Sequence, residues 1–207
     1  MMANGLAGIL EVEGVVFDLD GTLVDSRLDF AALRDQLGCP PDTGVLEFVA
    51  ALADREAARA AETVIHDFEM AGARAATWMP GARALLECLH GRSLPTAILT
   101  RNKRDAVTLT VDSLRIDVDM ILTREDCRPK PDPEGLLRIA AHWRCDPSRL
   151  VYIGDFRFDL DAARNAGMKA CLYLNARNRE LIRQADWVIA HFDELTRAFS
   201  GPSLRPA

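Results

Sequence analysis

The run Gly14-Val15-Val16-Phe17 is apolar throughout, and two carboxylates two residues apart follow it, Asp18 and Asp20. A continuous run of β-branched and aromatic residues suits a strand buried on both faces, the central strand of a parallel sheet. Open parallel sheets bind ligands at the carboxyl ends of their strands, and residues two apart at such an end point the same way. Asp18 and Asp20 are therefore expected to face one crevice.

Further along, short apolar runs alternate with segments of helical spacing. Strands are expected at Pro95–Thr100, Met120–Leu122, Leu150–Ile153, Lys169–Leu174 and Trp187–Ala190. Helices are expected at Ala82–Leu89, Lys103–Leu114, Pro133–Trp143, Asp159–Ala166 and Asp193–Phe199, with a helical turn at Glu180–Gln184 and a loose tail from Gly201. Alternation with short links means a parallel sheet with helices on both faces and right-handed crossovers.

The stretch from Ser26 to Trp78 breaks this alternation. Leu28 to Leu37 has helical spacing and stops at Gly38-Cys39-Pro40-Pro41; Asp42 or Thr43 is placed to cap a helix through Leu52; Asp54 to Ala75 is rich in Ala, Arg and Glu. No strand is expected there. The fold class is thus α/β, a doubly wound (Rossmann-like) parallel sheet core with a small all-helical cap inserted after the first strand. The core spans 1–25 and 79–207 and the cap 26–78.

The chain has 207 residues, enough for a substantial core, and no run approaches the ~20 apolar residues of a membrane span. A formal charge of −6 disfavours a nucleic-acid partner, which would call for a basic face. The opening segment has no basic leader, and Glu11 and Glu13 interrupt its apolar part, so the expected location is cytoplasmic. The five cysteines are scattered without a CxxC pair and read as reduced thiols. Cys127 lies near a site segment but lacks an activating base. His66, His90, His142 and His191 show no ligand spacing, and Arg27, Arg55, Arg59 and Arg74 read first as solvated side chains.

The apolar runs end in a consistent set of polar residues: Asp18 and Asp20 after the first, Thr100 after the second, Gly154, Asp155 and Asp159 after a later one. Lys130 joins them from a loop stiffened by Pro129, Pro131 and Pro133. Acids crowded into one crevice raise one another's pKa unless a cation neutralises them, and carboxylates with waters suit Mg²⁺, which commonly shares its shell with a substrate phosphate. Lys130 and the Thr100 hydroxyl would then face the phosphoryl oxygens. An isolated Asp-x-Asp is more often a solvated turn; its companions favour chemistry.

These four motifs in order, DLDGT at 18–22, Thr100, Lys130 before Pro-Asp-Pro, and the GD…D of Gly154, Asp155 and Asp159, resemble the haloacid dehalogenase (HAD) superfamily across nearly the whole chain. The resemblance implies Asp18 as nucleophile and Asp20 as general acid and base. It implies Thr100 and Lys130 on the phosphoryl group, and Mg²⁺ held by Asp18, the Asp20 carbonyl and Asp155. Asp159 would orient Lys130 or a metal-bound water. Gly21 and Thr22 shape the turn and, with Arg101 and Asn102, are candidate substrate contacts, although Asn102 also suits a helix cap. An aspartate at position 20 matches the phosphatases of the superfamily rather than its dehalogenases. The cap placement is similar to phosphoglycolate phosphatases and β-phosphoglucomutase. The implied activity is Mg²⁺-dependent hydrolysis of a small phosphorylated metabolite, phosphoglycolate leading, by a monomer or homodimer. A phosphomutase, or a binding protein without turnover, is the alternative.

Overall fold

The computed structural model describes residues 6–41 and 43–200. The readings made for Asp42 and for the tail from Gly201 lie outside them. In chain order the elements are β1 Gly14–Phe17, β2 Val24–Asp25, α1 Phe30–Leu37, α2 Val45–Ala50, α3 Arg55–Ala75, β3 Thr77–Trp78, α4 Ala82–Gly91, β4 Thr96–Leu99 and α5 Arg104–Leu114. They continue as β5 Met120–Leu122, α6 Glu134–Trp143, β6 Leu150–Gly154, α7 Arg157–Ala166, β7 Lys169–Tyr173, β8 Trp187–Ile189 and α8 Phe192–Ser200.

Six strands form one sheet in the order β5-β4-β1-β6-β7-β8, and every pair is parallel. All four residues of β1 are buried, as its apolar run requires. Successive side chains alternate between two cores. Val15 and Phe17 pack with Leu85 and Leu89 of α4 and Phe192 and Phe199 of α8, whereas Val16 packs with Leu136 and Ile139 of α6 and Leu160 of α7. From β1 the sheet grows outward through β4 and β5, then returns to the other side of β1 for β6, β7 and β8. The chain therefore switches direction across β1, and the crevice of an open α/β sheet lies at such a point, beyond the carboxyl ends of β4, β1 and β6.

Between Ser26 and Ala76 the described residues hold only helices, α1 to α3, with an apolar cluster of their own, Leu33, Val49, Ala61 and Ile65. Two expectations change here. Thr77 and Trp78 form a strand, paired antiparallel with Val24 and Asp25, so the entry and exit of the helical segment are tied into one short ribbon. A two-residue pairing carries no periodic signal for sequence reading to find. Thr43 does not cap α2: Gly44 holds that position without a side-chain cap. Side-chain caps form at the other two helices of the segment, with Asp29 accepting from Ala31 and Ala32 and Asp54 from Glu56.

Candidate active site

Asp18 follows β1, and its backbone N–H donates to the Ile153 carbonyl of β6 at 2.8 Å, which fixes where its side chain emerges. The side chain is largely buried, and its Oδ1 accepts from Lys130 Nζ at 2.6 Å. Lys130 also donates to Asp159 Oδ1 at 2.6 Å and to the Tyr152 hydroxyl at 2.7 Å. An ammonium has three protons, so each has an acceptor. Burial alone would lower the Lys130 pKa, but the Asp159 and Asp18 carboxylates outweigh it and hold it above the ordinary lysine value.

Asp159 is fully engaged. Its Oδ2 accepts the Phe156 backbone N–H at 2.9 Å, closing the N-terminus of α7, while Oδ1 takes Lys130 and lies 3.1 Å from the Tyr152 hydroxyl. Gly154 is required beside it, because a Cβ there would lie 2.3 Å from the Asp159 carboxyl carbon. Gly21 is constrained twice over: its φ is +79°, and a Cβ would come within 2.7 Å of Asp155 Oδ2. The turn itself is closed by backbone bonds, Gly21 N–H to Val24 and Val24 N–H to Leu19. The Thr22 hydroxyl takes no part: it is fully buried and has no hydrogen-bond partner.

Asp20 Oδ2 accepts from Asn102 Nδ2 at 2.6 Å. Asn102 therefore does not cap α5; Lys103 stands at that position, and its N–H is taken by Glu69 Oε2 of α3 at 3.1 Å. The Thr100 hydroxyl accepts the Asn102 N–H at 3.2 Å, leaving its own proton to donate. Arg101 is anchored by three partners. Its guanidinium stacks 4.5 Å above the Phe158 ring, donates to the Lys130 carbonyl at 2.6 Å, and meets both Glu47 oxygens of α2 at 2.7 Å.

The electrostatics follow from four acids around one lysine. Burial raises Asp18 well above the usual carboxylate range, and the Asp159 and Asp155 charges add to the rise against the pull of Lys130. Burial also raises Asp20, opposed by hydrogen bonds from Ser26 and Asn102. Asp155 is pushed up to about 7, by burial first and then by Asp159. Oxygens of Asp18, Asp155 and Asp159 lie within 4.8 Å of one another, so they could share a cation. Asp159 has already spent both oxygens within the protein, which leaves Asp18 and Asp155 as the better side-chain donors. An all-carboxylate set with excess negative charge fits a hard divalent ion such as Mg²⁺.

The family model described as haloacid dehalogenase-like hydrolase matches residues 15–173. The chain belongs to that family. A validoxylamine A 7′-phosphate phosphatase of Streptomyces hygroscopicus subsp. limoneus is 30% identical to this hydrolase over 209 residues, covering 91% of this chain and 98% of that protein. A phosphoglycolate phosphatase of Pseudomonas fluorescens is 32% identical over 187 residues, covering 78% and 68%. Among solved structures, a haloacid dehalogenase-like family hydrolase of Streptococcus pneumoniae superposes with a TM-score of 0.69 at 22% identity, covering 91% and 99%, a likeness of fold.

Three features of the hydrolase's site escaped sequence reading. Tyr152 sat inside an apolar run, although a buried tyrosine hydroxyl needs a partner. Asn175 and Asn178 follow β7 at the same sheet edge: Asn175 Nδ2 donates to Asp155 Oδ2 at 3.1 Å, and Asn178 Nδ2 donates to the Asp155 carbonyl at 2.7 Å. Reading the end of β7 as the other strand ends were read would have found them. Glu69 was hidden in a charge-rich helix.

Proposed function

We propose that the protein is a Mg²⁺-dependent phosphatase of small phosphomonoesters that works through an aspartyl-phosphate on Asp18. The observation that carries this reading is the division of labour between two neighbouring carboxylates. Asp18 is paired with Lys130, whose ammonium opposes the rise that burial and its acidic neighbours impose on it, whereas half-buried Asp20 meets only the neutral amide of Asn102 and is raised by burial. One is equipped to attack and the other to deliver a proton.

A carboxylate oxygen of Asp18 bonds to phosphorus as the ester P–O bond breaks, and the leaving alkoxide takes the Asp20 proton. Asp20, now ionised, takes a proton from water, whose oxygen attacks phosphorus and expels Asp18 with release of phosphate. Lys130 stays anchored by Tyr152 and Asp159 while its bond to Asp18 follows the oxygen that becomes phosphorylated. Thr100 donates to a phosphoryl oxygen. Asp18, the Asp20 carbonyl and Asp155 would hold Mg²⁺, which when bound neutralises charge on the phosphoryl oxygens. Asn175 and Asn178 keep Asp155 in place for that task.

Residues 26–78 form a helical cap over the core of 1–25 and 79–207, and their separate apolar cluster supports that division. Phosphoglycolate is the leading substrate, because a phosphoglycolate phosphatase stands among the relatives at 32% identity. All five cysteines are free, which suits a reducing, cytoplasmic setting. Among the described residues no helix is long and apolar enough to cross a membrane.

The test is phosphate release from a panel of phosphomonoesters, including 2-phosphoglycolate and p-nitrophenyl phosphate, with Mg²⁺ and with EDTA. Release that needs Mg²⁺ and disappears in Asp18→Asn is expected. Equal release by wild type and Asp18→Asn would overturn the reading.

A further inference from the structure

Glu69 lies in the middle of α3 yet is only 6% exposed, unlike the solvated glutamates of the same helix. Its two oxygens leave the helical segment and enter the core: Oε1 accepts from Arg124 Nη1, and Oε2 accepts the Lys103 N–H at the start of α5. Arg124 is nearly as buried and binds the same short segment twice more, from Nη1 to the Arg101 carbonyl at 2.5 Å and from its backbone N–H to the Asn102 carbonyl at 3.3 Å. The Asn102 N–H goes to Thr100 Oγ1. The Arg101 and Asn102 carbonyls and the Asn102 and Lys103 N–H groups are therefore all bound, and the side chain this stretch presents is the amide on Asp20.

A buried ion pair is a costly way to attach one layer of helices to another, since an apolar pair of similar volume commonly serves at least as well. What the ion pair adds is direction. Its bonds fall on particular peptide groups, those flanking Asn102.

We propose that Glu69 and Arg124 are positioning residues that couple docking of the helical segment to the orientation of Asp20, through the Asn102 amide. With the segment docked, Asn102 is locked and Asp20 is aimed. With it undocked, the Lys103 N–H and Arg124 lose their Glu69 acceptor, and the stretch that carries Asn102 is held less firmly. Proton delivery is thereby confined to the closed arrangement. This inference rests on the phosphatase reading above.

The test uses leaving groups. An alkoxide must be protonated as it departs, whereas p-nitrophenolate leaves without help, so only the alkyl ester depends on a well-aimed Asp20 in the step that kcat/KM reports. Full-length Glu69→Gln keeps the size of the side chain and an acceptor for Lys103 while losing the charge opposite Arg124. It should lower kcat/KM about 10-fold for the alkyl phosphate that wild type hydrolyses fastest, and less than about 3-fold for p-nitrophenyl phosphate. Asn102→Ala should show the same preference more strongly, and adding Glu69→Gln to it should change kcat/KM by less than about 2-fold, the signature of one pathway.

Arg124→Gln serves as the second variant should Glu69→Gln lower the melting temperature too far to assay. Equal losses with both leaving groups, or a full extra loss on top of Asn102→Ala, would overturn the coupling and leave the phosphatase reading standing. A wild type inactive on both substrates would overturn both.

Discussion

Tyr152 accepts the third proton of Lys130, its hydroxyl oxygen 2.7 Å from Nζ, and offers its own proton to the Leu99 carbonyl at 2.9 Å. The tyrosine thus completes the shell of a lysine that already bridges Asp18 and Asp159, and it ties that shell to the end of β4.

Tyr152→Phe removes one acceptor and one donor from a buried place while keeping the ring. Leaving the third Lys130 proton and the Leu99 carbonyl without partners should cost about 1–3 kcal/mol in urea unfolding. Turnover should fall through a less well held lysine while Mg²⁺ affinity stays unchanged, because Tyr152 touches neither Asp155 nor the Asp20 carbonyl. Unaltered stability and unaltered kcat together would show that the tyrosine is only packing.

Asp20→Asn separates proton transfer from metal binding. Only the backbone carbonyl of Asp20 is assigned to Mg²⁺, so the variant should lose roughly 10²–10⁴-fold in kcat for an alkyl phosphate, with a Mg²⁺ dissociation constant by calorimetry within about 3-fold of wild type. A rate that merely tracks lost metal occupancy would refute the acid and base role.

Cys127 supplies a control against thiol chemistry. Burial pushes its thiol above the usual cysteine value, neighbouring Glu134 adds to the rise, and its Sγ donates to the Thr123 carbonyl at 3.7 Å. A thiol so held is a poor nucleophile. Cys127→Ala should keep kcat/KM within about 3-fold, whereas a loss comparable to that of Asp18→Asn would point to a covalent thiol step.

The loop that carries Arg124 has a pH signature of its own. Burial would raise Asp126, but bonds from the Thr123 amide at 2.9 Å, the Thr123 hydroxyl at 2.8 Å and Arg104 outweigh it and hold the carboxyl below its ordinary value. A carboxylate depressed in the folded state adds stability above its unfolded pKa, about 3.9, and that stability is lost as pH falls through the lower folded value. Asp126→Asn should therefore unfold at lower urea than wild type at pH 7, with the gap closing only below about pH 4. A gap that stayed constant down to pH 3 would show that the charge contributes nothing.

Much of this arrangement was legible in the chain because apolar runs mark strands and strand ends mark the crevice. Asp18, Thr100 and Asp155 follow neighbouring strands β1, β4 and β6, and parallel order carries all three to one edge. Periodicity reports which face of an element is apolar; it does not report which polar residue on a solvated-looking helix will be swallowed by another layer. Glu69 had the same local pattern as the exposed glutamates around it, and only docking against Arg124 and Lys103 sets it apart. Arg101 has a partner that its sequence neighbours do not announce: Glu47, far away in sequence, meets its guanidinium. Tyr152 was invisible because a buried strand accommodates a tyrosine on apolar grounds, and the lysine that satisfies its hydroxyl comes from a different loop.

The most direct test of the account is to locate the covalent phosphate. With Mg²⁺ and beryllium fluoride, which mimics an acyl-phosphate, the crystal structure or fluorine resonance spectrum should show one adduct, on a carboxylate oxygen of Asp18, and none in Asp18→Asn. An adduct on Asp20, Asp155 or any other side chain, or one that persists in Asp18→Asn, would contradict the assignment of Asp18 as the attacking group.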